Sequence, residues 1–123
     1  MFSTRELVQD SMGMYNLAKR KPMKYARHGH AACSFGKNFI IVTGSRKDQD
    51  GADKATEMYD ASNDQWKTLK PMNTGRHYHS SCSFNQKFVY VFCGISNQSR
   101  RYINGVERLK VANEGTIAQT EVW

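Results

Sequence analysis

The chain has 123 residues, 39% of them hydrophobic and 11% aromatic, and its 18 Lys and Arg against 11 Asp and Glu give a formal net charge of +7. This length suits one domain, and so much apolar content with both charge signs excludes a disordered chain. The longest apolar run lies around Phe88 to Cys93, far too short for a membrane-spanning helix.

The N-terminal stretch "MFSTRELVQD" carries Glu6 and Asp10 and lacks an apolar central region, so it does not read as a secretory signal. Residues 1–20 are expected to be the remnant of a preceding structural unit or an N-terminal extension. In the first case "RELVQDSMGMYNLAKR" supplies two strands of that unit; in its absence the segment could form a short helix. The densest basic cluster, "KRKPMK" at Lys19 to Lys24, reads first as a solvated loop between strands. A nuclear-localisation or phosphate-binding patch is the lesser reading, because short Lys/Arg runs are weakly diagnostic.

From Lys21 the chain reads "KPMKYARHGHAACSF" and from Lys70 "KPMNTGRHYHSSCSF", with nine identical positions at a constant offset of 49 residues. A catalytic constellation is assembled once, so a duplicated string points to repeated architecture, and a period near 50 belongs to propellers rather than to helical solenoids. The runs "FIIVTGS" and "FVYVFCGIS" are rich in β-branched and aromatic residues and close on Gly44 and Gly94, the pattern of strands covered on both faces. A polar loop, "RKDQDGADKA", comes next in the first unit. It leads into "TEMYDASNDQW", where Asp60, Ser62, Asn63 and Asp64 mark a turn between two short strands. The first unit, residues 21–69, is therefore predicted to hold strands at about 30–35, 39–43, 56–60 and 65–69, an antiparallel meander. The second, residues 70–123, repeats the plan with its third strand and turn in "GVERLKVANEG" and is truncated before its last strand.

In this order the residues resemble the kelch-repeat β-propeller family. Its motif sets an Arg and a His before an inner strand, ends a hydrophobic strand in a glycine pair, and continues with a Tyr-Asp pair and a Trp. The matching residues are Arg27, His30, Gly44, Tyr59 with Asp60, and Trp66 in the first unit, and Arg76, His79, Gly94 and Trp123 in the second. Thr43 and Cys93 stand where the first glycine of each pair belongs, and Leu109 and Lys110 replace the second Tyr-Asp pair. The resemblance implies an all-β fold of four-stranded kelch-type blades, about two and a half of them, forming an incomplete propeller. The remaining blades of a larger propeller, or self-association, would cover its open faces.

Each recurring residue type also has a physical reason to be there. Gly44 and Gly94 suit strand ends where the chain bends closely past a neighbour. Tyr59 and Trp66, packed between blades, would contribute about 2 to 3 kcal/mol each. The forked heads of Arg27 and Arg76 can satisfy carbonyls left over at loop corners.

His28, His30 and Cys33, with His77, His79 and Cys82, write HxHxxC twice, and on a strand the two His of each set would face one side. Zinc accepts such ligands, but residues recurring with the architectural period are expected to do an architectural job. "DQDGAD", Asp48 to Asp53, gathers carboxylates around Gly51 at a spacing that departs from a calcium loop. No metal or cofactor is expected. Cys33, Cys82 and Cys93 are an odd number and form no CxxC pair, which suits a reducing cytoplasm.

The stretch "SRRYINGVERLK", Ser99 to Lys110, could meet nucleic acid by phosphate contact and base stacking. It reads more simply as a loop on the same face as "SRKDQDGADK". Arg46, Lys47, Arg100, Arg101 and Tyr102 are the candidate contacts to a protein partner, and their charge suits an acidic peptide. The expected function is a non-enzymatic protein-protein interaction module. Alternatives are the substrate-recognition part of a ubiquitin-ligase adaptor, a propeller-type enzyme, and a nucleic-acid binder.

Overall fold

A computed structural model describes residues 4–9, 11–47 and 51–111. Trp123, the rest of the segment after Val111, and Asp48 and Asp50 of the polar loop lie outside the described residues. The fold is all-β, with antiparallel sheets, none of them closed. Among the described residues no helix is long and apolar enough to cross a membrane.

Strands β1 (Thr4–Gln9) and β2 (Tyr15–Arg20) pair as a hairpin, so the N-terminal segment takes the strand form rather than the helical one. Strands β3 (Ala31–Phe35), β4 (Phe39–Thr43), β5 (Thr56–Asp60) and β6 (Gln65–Leu69) follow in a meander of order β3-β4-β5-β6. The turns explain its register. Gly36 closes the first hairpin at φ 59°. The Asp60 carboxylate accepts from the Ser62 backbone N–H (2.9 Å), the Ser62 hydroxyl (2.6 Å) and the Asn63 amide (2.7 Å), an Asx-type turn that hands the chain from β5 to β6.

Beyond β7 (Arg76–His77), strands β8 (Ser80–Phe84), β9 (Phe88–Phe92) and β11 (Val106–Lys110) form a second sheet of order β11-β9-β8, while β7 pairs with β10 (Ile95–Ser96). The first two strands of each sheet are 49 residues apart, and the third strands, β5 and β11, are 50 apart. The connection after β9 is therefore one residue longer than the one after β4.

The two sheets meet with β3 against β8. Strand alternation turns Phe35, Ile41, Met58 and Leu69 of the first sheet onto Val89, Leu109 and Val111 of the second, a single buried cluster flanked by Cys33 and Phe39. Each fully buried aliphatic side chain there contributes about 1.5 to 3 kcal/mol.

Tyr59 and Trp66 stand opposite one another across β5 and β6, ring centroids 4.9 Å apart. Alternation with Met58 puts Tyr59 on the face turned away from the second sheet. The Trp66 indole N–H donates to the Lys21 carbonyl at 2.7 Å, and the Tyr59 hydroxyl donates to Asp64 at 2.9 Å. Their contacts thus tie the "KPM" string to the edge of its own sheet.

Gly44, at φ 69°, makes the close approach that the sequence suggests: a Cβ there would strike the Arg76 carbonyl oxygen and lie 2.6 Å from His79 Cε1. The offset of 49 pairs Gly44 with Cys93, at φ 58°, rather than with Gly94. Gly94, at φ 92°, is equally confined, its would-be Cβ lying 2.7 Å from the His77 carbonyl oxygen.

Candidate partner-binding site

The loops after β4 and β9 leave their sheets at corresponding ends, and an arginine fixes each. Arg27 Nη1 donates to the carbonyls of Gly44 (2.9 Å), Ala55 (2.9 Å) and Ala52 (3.4 Å), gripping both ends of the first loop. Its Nη2 and Nε donate to Glu57 Oε2 at 2.7 and 3.2 Å, while Glu57 Oε1 accepts the Lys24 N–H at 2.8 Å. Arg76 repeats the device: Nη1 donates to Cys93 O (3.0 Å) and Gly105 O (3.2 Å), Nη2 donates to Glu107 Oε2 (2.6 Å), and Glu107 Oε1 accepts the Asn73 N–H (2.8 Å).

The corner role inferred for Arg27 and Arg76 is thus realised, with a charge partner that the sequence reading missed. Glu57 and Glu107 sit in otherwise apolar or alternating strands, and a carboxylate there at nearly the repeat spacing was the available signal. The Arg27–Glu57 pair is sealed, with side-chain exposures of 0% and 1%; in the Arg76–Glu107 pair they are 2% and 12%.

The histidines depart from expectation. The two of each set do not share a strand face: they lie before β3 and around the end of β7. His28 and His30 are exposed, whereas His77 and His79 are buried. His79 Nε2 lies 2.8 Å from Thr43 Oγ1 and its Nδ1 has no hydrogen-bond partner. Burial, reinforced by the Arg76 guanidinium, lowers its pKa to about 4, so the ring is neutral at physiological pH. Partial shielding of its ring from water, and then the Arg27 charge, also lower the pKa of the otherwise exposed His30. Burial raises that of the Cys33 thiol, which disfavours a nucleophilic thiolate. Cys33, Cys82 and Cys93 are all free. Among the described residues no group of three or more His, Cys, Asp or Glu is arranged to hold a metal ion.

Asn97, also missed in the sequence, joins the two units. Its Nδ2 donates to the carbonyls of Ser45 (2.9 Å) and Arg46 (3.1 Å), and its Oδ1 lies 2.6 Å from His77 Nδ1. With both amide hydrogens spent on carbonyls, Oδ1 can only accept, so His77 carries its proton on Nδ1. The Arg46 N–H donates in turn to the His28 carbonyl at 2.8 Å. The Asn97 bonds hold the start of the first loop against the second unit, and the His28 bond ties it to its own.

The five candidate contacts are divided by this arrangement. Arg46 and Arg100, from loops of different units, line one cleft of about 430 Å³ together with His77, Ile95 and Asn97. Lys47 lines a smaller cleft of about 220 Å³ with Ala26, Arg27 and His28. Arg101 and the 90% exposed Tyr102 follow Arg100 but line neither cleft. The bend that presents Arg100 is built from Arg100 N–H to Ser96 O (2.8 Å) and Ser96 N–H to Arg101 O (2.9 Å), with Arg100 at φ 57°. Arg46 and Arg100 bring two positive charges to the cleft, and neither is in an ion pair with a described residue.

No protein-family model matches the chain, and no curated protein matches it.

Proposed function

We propose that this chain is a non-enzymatic protein-protein interaction module of the kelch-repeat type, acting in the cytoplasm and capturing an acidic partner with the loops that follow β4 and β9. The observation that carries this reading is the convergence of Arg46 and Arg100, one from each unit, on a single cleft. Loops on a braced scaffold are where binding residues concentrate, and the Arg27 and Arg76 posts brace these two. Two sheets stacked face to face at a near-constant offset are what a propeller of repeated blades would require.

That architecture also accounts for the outer face of the second sheet, where Phe84 is 56% exposed beside half-buried Phe88, Tyr90 and Phe92. Phe84 corresponds at the offset of 49 to Phe35, which the second sheet covers. Another blade of a larger propeller, or a second copy of the chain, would cover Phe84 in the same way.

Site-specific photo-crosslinking tests the binding reading. A benzophenone side chain at Lys47 or Tyr102 should yield a discrete protein adduct in cytoplasmic extract, and one at Lys37 or Lys87, in the hairpin turns at the opposite strand ends, should not. Equal labelling at both ends would refute a loop-face site.

A further inference from the structure

We propose that the cleft between Arg46 and Arg100 is a carboxylate pocket, shaped for the side chain of a glutamate or aspartate in an acidic peptide. This rests on the loop-face reading above and adds the group recognised and the residues that recognise it.

Charge is the first argument. Two guanidinium groups line the same cleft, and neither has a carboxylate partner among the described residues. A guanidinium presents parallel N–H donors that match the two oxygens of a carboxylate, so a ligand carboxylate would pair well with either group.

Preorganisation is the second. Asn97 fixes the Arg46 backbone through its carbonyl, the His28 carbonyl fixes it through its N–H, and the Ser96 bend fixes Arg100. Binding therefore need not order these backbones, and less of the interaction energy is lost.

The remaining lining separates a peptide acid from a simple anion. Ile95 offers an apolar wall for the methylene carbons of an acidic side chain. His77 has its Nδ1–H committed to Asn97, which leaves Nε2 as the ring nitrogen able to meet an N–H beside the acid. A peptide glutamate or aspartate has all three features: carboxylate, methylene stem and backbone N–H. Inorganic phosphate would use the guanidinium groups and could meet Nε2 through a P–OH, but it would leave the Ile95 wall idle. The volume of about 430 Å³ lies in the lower part of the range of small-ligand pockets, the scale of a short peptide segment rather than a folded surface.

The test is fluorescence anisotropy with fluorescein-labelled hexaglutamate, using hexaglutamine as the neutral control. Two double variants remove the same net charge: Arg46→Gln with Arg100→Gln inside the cleft, and Lys47→Gln with Arg101→Gln outside it. The first should weaken hexaglutamate binding about tenfold or more and the second less than about twofold, because only the first removes paired donors. Restoring charge with Arg46→Lys and Arg100→Lys should recover less than half of the loss, since a lysine lacks the fork. Equal losses from the two Gln pairs would overturn the pocket and leave the loop face standing as a diffuse basic surface. Absence of hexaglutamate binding would also overturn the pocket, with photo-crosslinking deciding the loop face separately. Displacement by inorganic phosphate as readily as by free hexaglutamate would reduce the cleft to an anion site and remove the peptide assignment.

Discussion

Arg27 and Arg76 make the same contacts 49 residues apart, each bridging a glutamate on the third strand of its sheet to carbonyls at both ends of the preceding loop. The copies differ in depth, since Glu57 is sealed and Glu107 reaches solvent. Removing one member of a buried pair strands the other charge and costs about 3 to 5 kcal/mol. Glu57→Ala should therefore lower unfolding stability by that amount in urea titration. Glu107→Ala should cost less, about 1 to 3 kcal/mol. Equal costs would mean that the two corners are not loaded as their burial indicates.

Gly44 and Cys93 share a left-handed backbone, but only Gly44 suits it sterically. Gly44→Ala adds a clash with the Arg76 carbonyl to the conformational cost, and should lose more than about 2 kcal/mol. Cys93→Gly removes a left-handed penalty at an exposed position and should gain about 1 kcal/mol, less the entropy of a freer unfolded chain. Thermal melts of both variants check the opposite signs.

Asn97 spends its whole amide on the junction between units. Asn97→Ala should cost about 1 to 3 kcal/mol by leaving its partners unmet. At about 1 M salt, which screens the neighbouring Arg46 and Arg100 charges, Asn97→Asp should cost more than Ala, because it sets a carboxylate oxygen against the Ser45 and Arg46 carbonyls. Urea midpoints of the two variants, read side by side, give the order; the reverse order would contradict the assigned amide orientation.

His79 has a folded-state pKa of about 4 against the ordinary histidine value of 6.5. Above 6.5 the ring is neutral in both states and pH has no effect through it. Between 6.5 and 4 the unfolded chain takes up a proton that the folded chain refuses, so stability falls as pH falls, by about 1.4 kcal/mol per unit at the steepest. The loss from this group levels off below pH 4, at roughly 3 kcal/mol. His79→Gln should flatten this part of the stability profile, and an unchanged slope would assign it to another group.

The strands were the most legible part of the fold. β4, β5 and β6 begin and end where the apolar runs and turn residues place them, and β3 starts one residue later than expected. The buried charges were not legible, because a glutamate in a strand reads as solvent-facing until the partner arriving from another loop is known. Nor could the identical HxH strings show that their histidines differ. His79 reaches Thr43 across the junction and is buried, whereas its counterpart His30 is exposed, so position in the stack decides what local sequence cannot. The basic candidates were found by charge, but their division between clefts depends on Asn97, one polar residue in a loop of ordinary composition.

The central claim is that the two units, 49 residues apart, build the same sheet plan twice. Amide hydrogen exchange on the middle strands tests it most directly, because β4 and β9 are each paired on both sides. The account predicts slow exchange at Ile40, Ile41 and Val42 and matching slow exchange at Val89, Tyr90 and Val91. Protection in one triplet with rapid exchange throughout the other would contradict it.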